Sequence, residues 1–209
     1  MPEHAGEALE KETGRVEAFS DAVFAIAITL LVLEFKVPHL PESASGRDLI
    51  GALVRLWPSM IAFLGSFVAI LIMWINHHGM FRMIHKTDLP FLFANGALLL
   101  MVTFVPFPTA VLAEYLGRGG QHAAAAFYVG TFLVGAAIWN VVWDIACGRR
   151  LLKRSVSEAQ ASRVRGSYRL GLAVYAVSTA LAFWSALLGL ALCLSLWIYW
   201  GTRSYRAEE

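Results

Sequence analysis

Residues 15–34 read RVEAFSDAVFAIAITLLVLE. From Ala22 to Phe35 the run is apolar, with one acid, Glu34, near its end. That is short for a lipid-facing helix, which needs about 20 residues to cross a hydrocarbon core of roughly 30 Å. Adding Val16 to Asp21 supplies the length but brings in Glu17, Ser20 and Asp21. That end should therefore meet protein or water rather than lipid. At about 100° per residue, Phe19, Val23, Ile26, Leu30 and Leu33 fall in one stripe. Ser20 lies off the stripe, Asp21 nearly opposite it, and Thr29 and Glu34 on its shoulders. Such a stripe either packs against its own bundle or lines a pore with apolar rings, which gate by dewetting or strip water from an ion.

The rest of the chain agrees with a bilayer setting. Of 209 residues, 58% are hydrophobic and 15% charged, against about 25% charged in soluble domains. A lipid core removes the problem of hiding that apolar surface. The length suits one compact membrane domain. A net charge of +2 implies no nucleic-acid partner. Cys147 and Cys193 make neither metal spacing nor a disulfide framework and read as packing residues. The first twenty-one residues are polar and the following run lacks a cleavage pattern, so it reads as a retained span rather than a signal peptide.

Outward from that helix, a Pro- and Gly-broken loop over 36–47 leads to a second span, about 49–75, ending in Trp74-Ile75-Asn76-His77-His78. The third, about 89–112, contains Pro106-Phe107-Pro108 and should kink there. The fourth covers about 123–147. Residues 148–169 are basic with helical spacing and read as a cytoplasmic surface helix, or else a disordered loop. The apolar stretch 170–200 would be about 46 Å long as one helix, far more than a bilayer needs. A hairpin with its turn near 187–189 fits better and gives six spans. The N-terminus, the 76–89 link, the 148–169 connector and the C-terminus then share one side and carry thirteen of the seventeen Lys and Arg. The richer side is cytoplasmic. The expected organisation is a cytoplasmic tail over 1–14, a six-helix transmembrane domain over 15–202 with its linker at 148–169, and a cytoplasmic tail over 203–209.

An ionisable residue at membrane depth is costly and is usually paired or functional. For Asp21 the preferred account is a structural cluster in which Ser20 and Asp21 bond to Trp74, Asn76 or His77. Adjacent histidines point about 100° apart on a helix, so one metal would not take both His77 and His78. Hydrogen bonding at the helix end is the default for them. Asp144 reads as a charge reaching the interface beside Arg149 and Arg150. Most of the remaining tryptophans read as interface anchors. No nucleophile–base pair, phosphate loop or carboxylate dyad asks for an enzyme.

Arg15-x-x-x-Phe19-Ser20-Asp21 with its apolar continuation resembles the signature of the transmembrane protein 175 family of potassium-permeable channels. The likeness extends to Trp74-x-x-His77-His78 and to Asn95 and Pro106-Phe107-Pro108-Thr109. It implies an all-α integral membrane fold with six transmembrane helices per chain and a central pore lined by the first helix. One signature per chain resembles the bacterial form, which implies a homotetramer in the inner (plasma) membrane that passes K+ and other monovalent cations without a cofactor. By the same resemblance Ile26, Leu30 and Leu33 would form the constriction, and Thr29 would contribute to selectivity. Arg15, Phe19, Ser20, Asp21, Trp74, Asn76, His77 and His78 would hold the pore helix in place. The competing readings are a secondary transporter of a small or proton-coupled solute, which would want inverted repeats and broken helices, and an assembly or cofactor protein using His77 and His78.

Overall fold

The structure is a computed structural model that describes residues 2–203; most of the C-terminal tail expected over 203–209 lies outside the described residues. These residues form eight α-helices and no strand: α1 (Pro2–Leu30), α2 (Gly46–Val54), α3 (Trp57–Met83), α4 (Leu89–Phe104), α5 (Pro106–Tyr115), α6 (Gln121–Gly148), α7 (Glu158–Trp184) and α8 (Ala186–Arg203). A 3-10 turn, Leu31–Glu34, extends α1. Among the described residues, four stretches are long and apolar enough to cross a membrane: Glu12–Glu34, Trp57–Met83, Leu89–Tyr115 and Gln121–Gly148.

Several boundaries differ from the sequence reading. The second span begins at Trp57 and runs to Met83. Proline lacks an N–H and suits a helix's first turn, so Pro58 opens α3. Residues 46–54 instead form the separate α2, started by a reciprocal Ser45–Asp48 capping box. His77 and His78 thus sit inside α3 and not at its end. The third span breaks at Val105 into α4 and α5, before Pro106.

The connector is not a surface helix. Residues 158–169 are the first turns of α7, which continues unbroken to Trp184. Only 149–157 are non-helical, and they are ordered. Arg150 takes φ +56, and Leu151 N–H bonds back to the Ala146 carbonyl at 2.9 Å, a helix-ending turn that normally favours glycine. Leu152 then bridges Ile84, with His85 N–H on the Leu151 carbonyl (2.8 Å) and Lys153 N–H on the Met83 carbonyl (2.9 Å). Arg149 pairs with Asp88. Asp144 pairs instead with Arg165 at 2.8 Å.

The hairpin turns at Ser185, two residues earlier than expected. Its arms are antiparallel: Gly189 lies against Ala182, Gly171 against Trp200, and Trp197 Nε1 donates to Tyr175 Oη at 3.0 Å. Helix α6 is the hub, touching α4, α5, α7 and α8. Trp139, Trp143 and Trp197 are buried there, so they are packing residues, whereas Trp57 and Trp184 are exposed. In lipid, helices associate through close packing and interhelical hydrogen bonds. A directional hydroxyl chain supplies some of these: Tyr128 to Ser66 (2.9 Å), Ser66 to Thr109 (2.7 Å), and Thr109 to the Val105 carbonyl (2.8 Å).

Candidate functional site

Helix α1 has two unlike faces. Ser20, Phe24, Ala27 and Leu31 are buried against α3 and α4. The stripe lies roughly 110° round the helix from them. There Phe19 is 65% exposed, Ile26 56%, Leu30 38% and Leu33 72%, while Val23 is partly buried. Thr29 is exposed beside it, its hydroxyl donating to the Ile26 carbonyl at 2.8 Å. Apart from Val23, which packs against the core, the stripe is therefore left uncovered by its own bundle. The chain leaves a row of large apolar side chains uncovered along one helix.

The buried face is held by matched polar pairs. On α1, Glu17 and Asp21 are one turn apart; on α3, so are His78 and Trp74. Trp74 Nε1 donates to Asp21 Oδ1 at 2.9 Å, and His78 Nδ1 meets Glu17 Oε1 at 2.9 Å. Lower positions on one helix meet higher positions on the other, so α1 and α3 run antiparallel. The Trp74 and His78 rings stack at 6.2 Å. Beyond the C-terminal end of α1, Phe35 packs edge-on to Phe63 at 5.2 Å.

Between these pairs runs a buried relay through a third helix. Ser20 Oγ donates to the Val16 carbonyl at 2.9 Å and so must accept from Asn95 Nδ2 at 3.0 Å. That turns Asn95 Oδ1 towards His77 Nε2, 2.9 Å away, which must then carry the proton. Phe24, Phe81 and Trp139 surround the imidazole, at ring separations of 5.2, 4.6 and 6.1 Å. The two histidines thus serve different partners on different faces of α3. The Asn76 amide donates to the Ile72 carbonyl of its own helix at 2.8 Å. Arg15 is exposed at the rim of a groove between α1 and α4. Sequence reasoning left two anchors without a role, Glu17 and Asn95. Asn95 carried a signal: it is a lone amide in the apolar run of α4, and such residues bond between helices.

The sequence profile described as endosomal/lysosomal potassium channel TMEM175 matches residues 15–106, from Arg15 to the proline that opens α5. A potassium channel of Chamaesiphon minutus is 48% identical over 196 residues, 93% of this chain and 96% of that protein. A potassium channel of Streptomyces collinus is 42% identical over 195 residues, 91% and 92% of the two chains. The crystal structure of a lysosomal potassium-selective channel TMEM175 homolog from Chamaesiphon minutus superposes with a TM-score of 0.83 at 47% identity, covering 93% of this chain and 98% of that one.

Proposed function

Because this chain belongs to the TMEM175 family, we propose that it is a potassium channel whose pore is lined by the outward stripe of α1. The observation that carries this reading is the exposure of Ile26, Leu30 and Leu33 on a helix whose other face is firmly anchored. In lipid, leaving such a row uncovered costs little. Four copies arranged in a closed ring would bring the stripes together around one axis. The apolar rings then constrict the pore and admit an ion only when the passage is wetted. Thr29 supplies a hydroxyl beside the constriction, near the level of Leu30. The Glu17–His78, Asp21–Trp74 and Ser20–Asn95–His77 contacts fix the rotation of α1, so that the same residues face the axis in every subunit.

In this reading α1, α3, α4 with α5, α6, α7 and α8 make six crossings. An even number returns both termini to the Lys- and Arg-rich side, the cytoplasmic side of the cell membrane. The permeant ion is K+, and no cofactor enters this account.

The test is potassium flux into liposomes, wild type beside Ile26→Asn. The amide would wet the Ile26 ring, so flux should need the protein and rise with the substitution. Flux unchanged by polar replacements at Ile26, Leu30 and Leu33, with the assembly intact, would make the stripe ordinary lipid-facing surface. Saturable, proton-coupled uptake would point to a transporter.

A further inference from the structure

The connector and the first turns of α7 carry a group of cations that the channel reading does not use. Arg150, Lys153, Arg154, Arg163 and Arg169 are all exposed. None forms an ion pair with an acidic side chain among the described residues, whereas the nearby acids Asp88 and Asp144 are taken by Arg149 and Arg165. Glu158, at the start of α7, is the one acid between residues 149 and 169. Between residues 149 and 169 the excess charge is therefore positive.

Its depth can be read from α7 itself. At about 100° per residue, Arg163, Leu170, Val177 and Trp184 fall within one stripe of that helix. Leu170 is 47%, Val177 54% and Trp184 80% exposed, so the stripe faces outward along its whole length. Arg163 and Trp184 stand twenty-one residues apart in one unbroken helix, roughly 31 Å at helical rise. That matches the hydrocarbon thickness of about 30 Å. With Trp184 at the far interface, Arg163 lies at headgroup level on the connector side. The backbone bonds joining 83–86 to 151–153 hold the connector at that same end. The left-handed turn at Arg150 brings the chain back onto the α3–α4 link instead of letting it extend into water.

From this placement we propose that Arg150, Lys153, Arg154 and Arg163 form a binding surface for the phosphate groups of anionic phospholipids in the adjoining leaflet. The proposal rests on the membrane placement of α7 and does not require that the protein conduct. Charge complementarity selects the occupant: the cations are exposed on a hydrogen-bonded connector and on α7, form no ion pair among the described residues, and stand at the level of lipid phosphates. Each cation near an anionic surface strengthens association roughly fivefold.

The test uses the purified full-length protein in vesicles of phosphatidylcholine and phosphatidylglycerol in equal parts. After gentle extraction, the two lipids retained on the protein are counted by mass spectrometry. Wild type should hold phosphatidylglycerol over phosphatidylcholine by at least roughly fivefold. The variant R150Q/K153Q/R154Q/R163Q should move towards parity. In about 1 M salt, where the screening length is roughly 3 Å, the wild-type preference should also shrink. Parity in the wild type, or an unchanged preference in the variant, would overturn the proposal. Should the variant fail to fold, a wild-type preference that persists undiminished in high salt would overturn it as well. Because lipid retention is read rather than flux, a failure here is separable from a failure of the channel reading.

Discussion

Removing the Asn95 amide should show whether α1 is anchored as the hydrogen bonds indicate. Asn95 is 2% exposed and bonds both Ser20 and His77. Asn95→Ala removes two interhelical bonds, each worth about 0.6 kcal/mol on average and up to about 1.7 in membranes. It also strips His77 Nε2–H of its acceptor inside an aromatic cage, at about 1–3 kcal/mol for an orphaned buried donor. The Ser20 hydroxyl keeps its bond to the Val16 carbonyl, so no second donor is orphaned. The expected cost is about 2–4 kcal/mol. His77→Phe loses the same bond from the other side, with a ring suited to the Phe24, Phe81 and Trp139 surroundings. Once His77 is gone, deleting Asn95 orphans nothing on α3. The double variant should therefore lose about 1 kcal/mol less than the sum of the singles, beyond the roughly 0.3–0.5 kcal/mol margin of independent sites. Reversible unfolding in mixed micelles, followed by near-ultraviolet circular dichroism, measures all four corners. Additivity within that margin would refute the relay.

Two further outcomes follow from the packing and the connector. A Cβ at Gly189 would stand 2.5 Å from Ala182 Cβ and 2.7 Å from its Cα, a clash with backbone that no rotamer relieves. Gly189→Ala should destabilise the α7–α8 hairpin by about 1–3 kcal/mol or more, and Ala182→Gly in the same chain should recover part of the loss in thermal melts. The hydrogen bond from Arg149 holds the Asp88 carboxyl below the usual carboxylate range. The folded state thus binds that proton less readily than the unfolded chain. The contribution is complete above about pH 4 and fades as pH falls through the depressed value. Amide protection at His85 and Lys153 should drop on acidification, and Asp88→Asn should show reduced protection already at neutral pH.

Much of the architecture could be read from residue order alone. Long apolar runs far exceed what a soluble fold could hide, and the distribution of Lys and Arg assigns the cytoplasmic side in the proposed topology. The 170–200 stretch is too long for one crossing, which announced a hairpin. Its turn could not be placed, because Ser185, Leu187 and Gly189 are all compatible with a break. The connector misled because basic residues at helical spacing look alike whether they form a separate surface helix or the first turns of a longer one. Likewise Asp144 has arginines close in sequence on one side and Arg165 close in space on the other; only folding chose between them. The tryptophans followed the same logic, since an indole that anchors at an interface also fills a core.

For α1, sequence determined the angles between residues. Periodicity fixed that Ile26, Leu30 and Leu33 share a face and that Ser20 and Asp21 do not. It could not say which face looks outward, because an apolar stripe satisfies a bundle, a lipid or a pore equally well. Tertiary structure decided it through partners distant in the chain. Trp74, His78 and Asn95 stand where only one rotation of α1 satisfies Asp21, Glu17 and Ser20 together. A polar group left unpaired at that depth is costly, so these contacts lock the helix and leave its apolar stripe facing out.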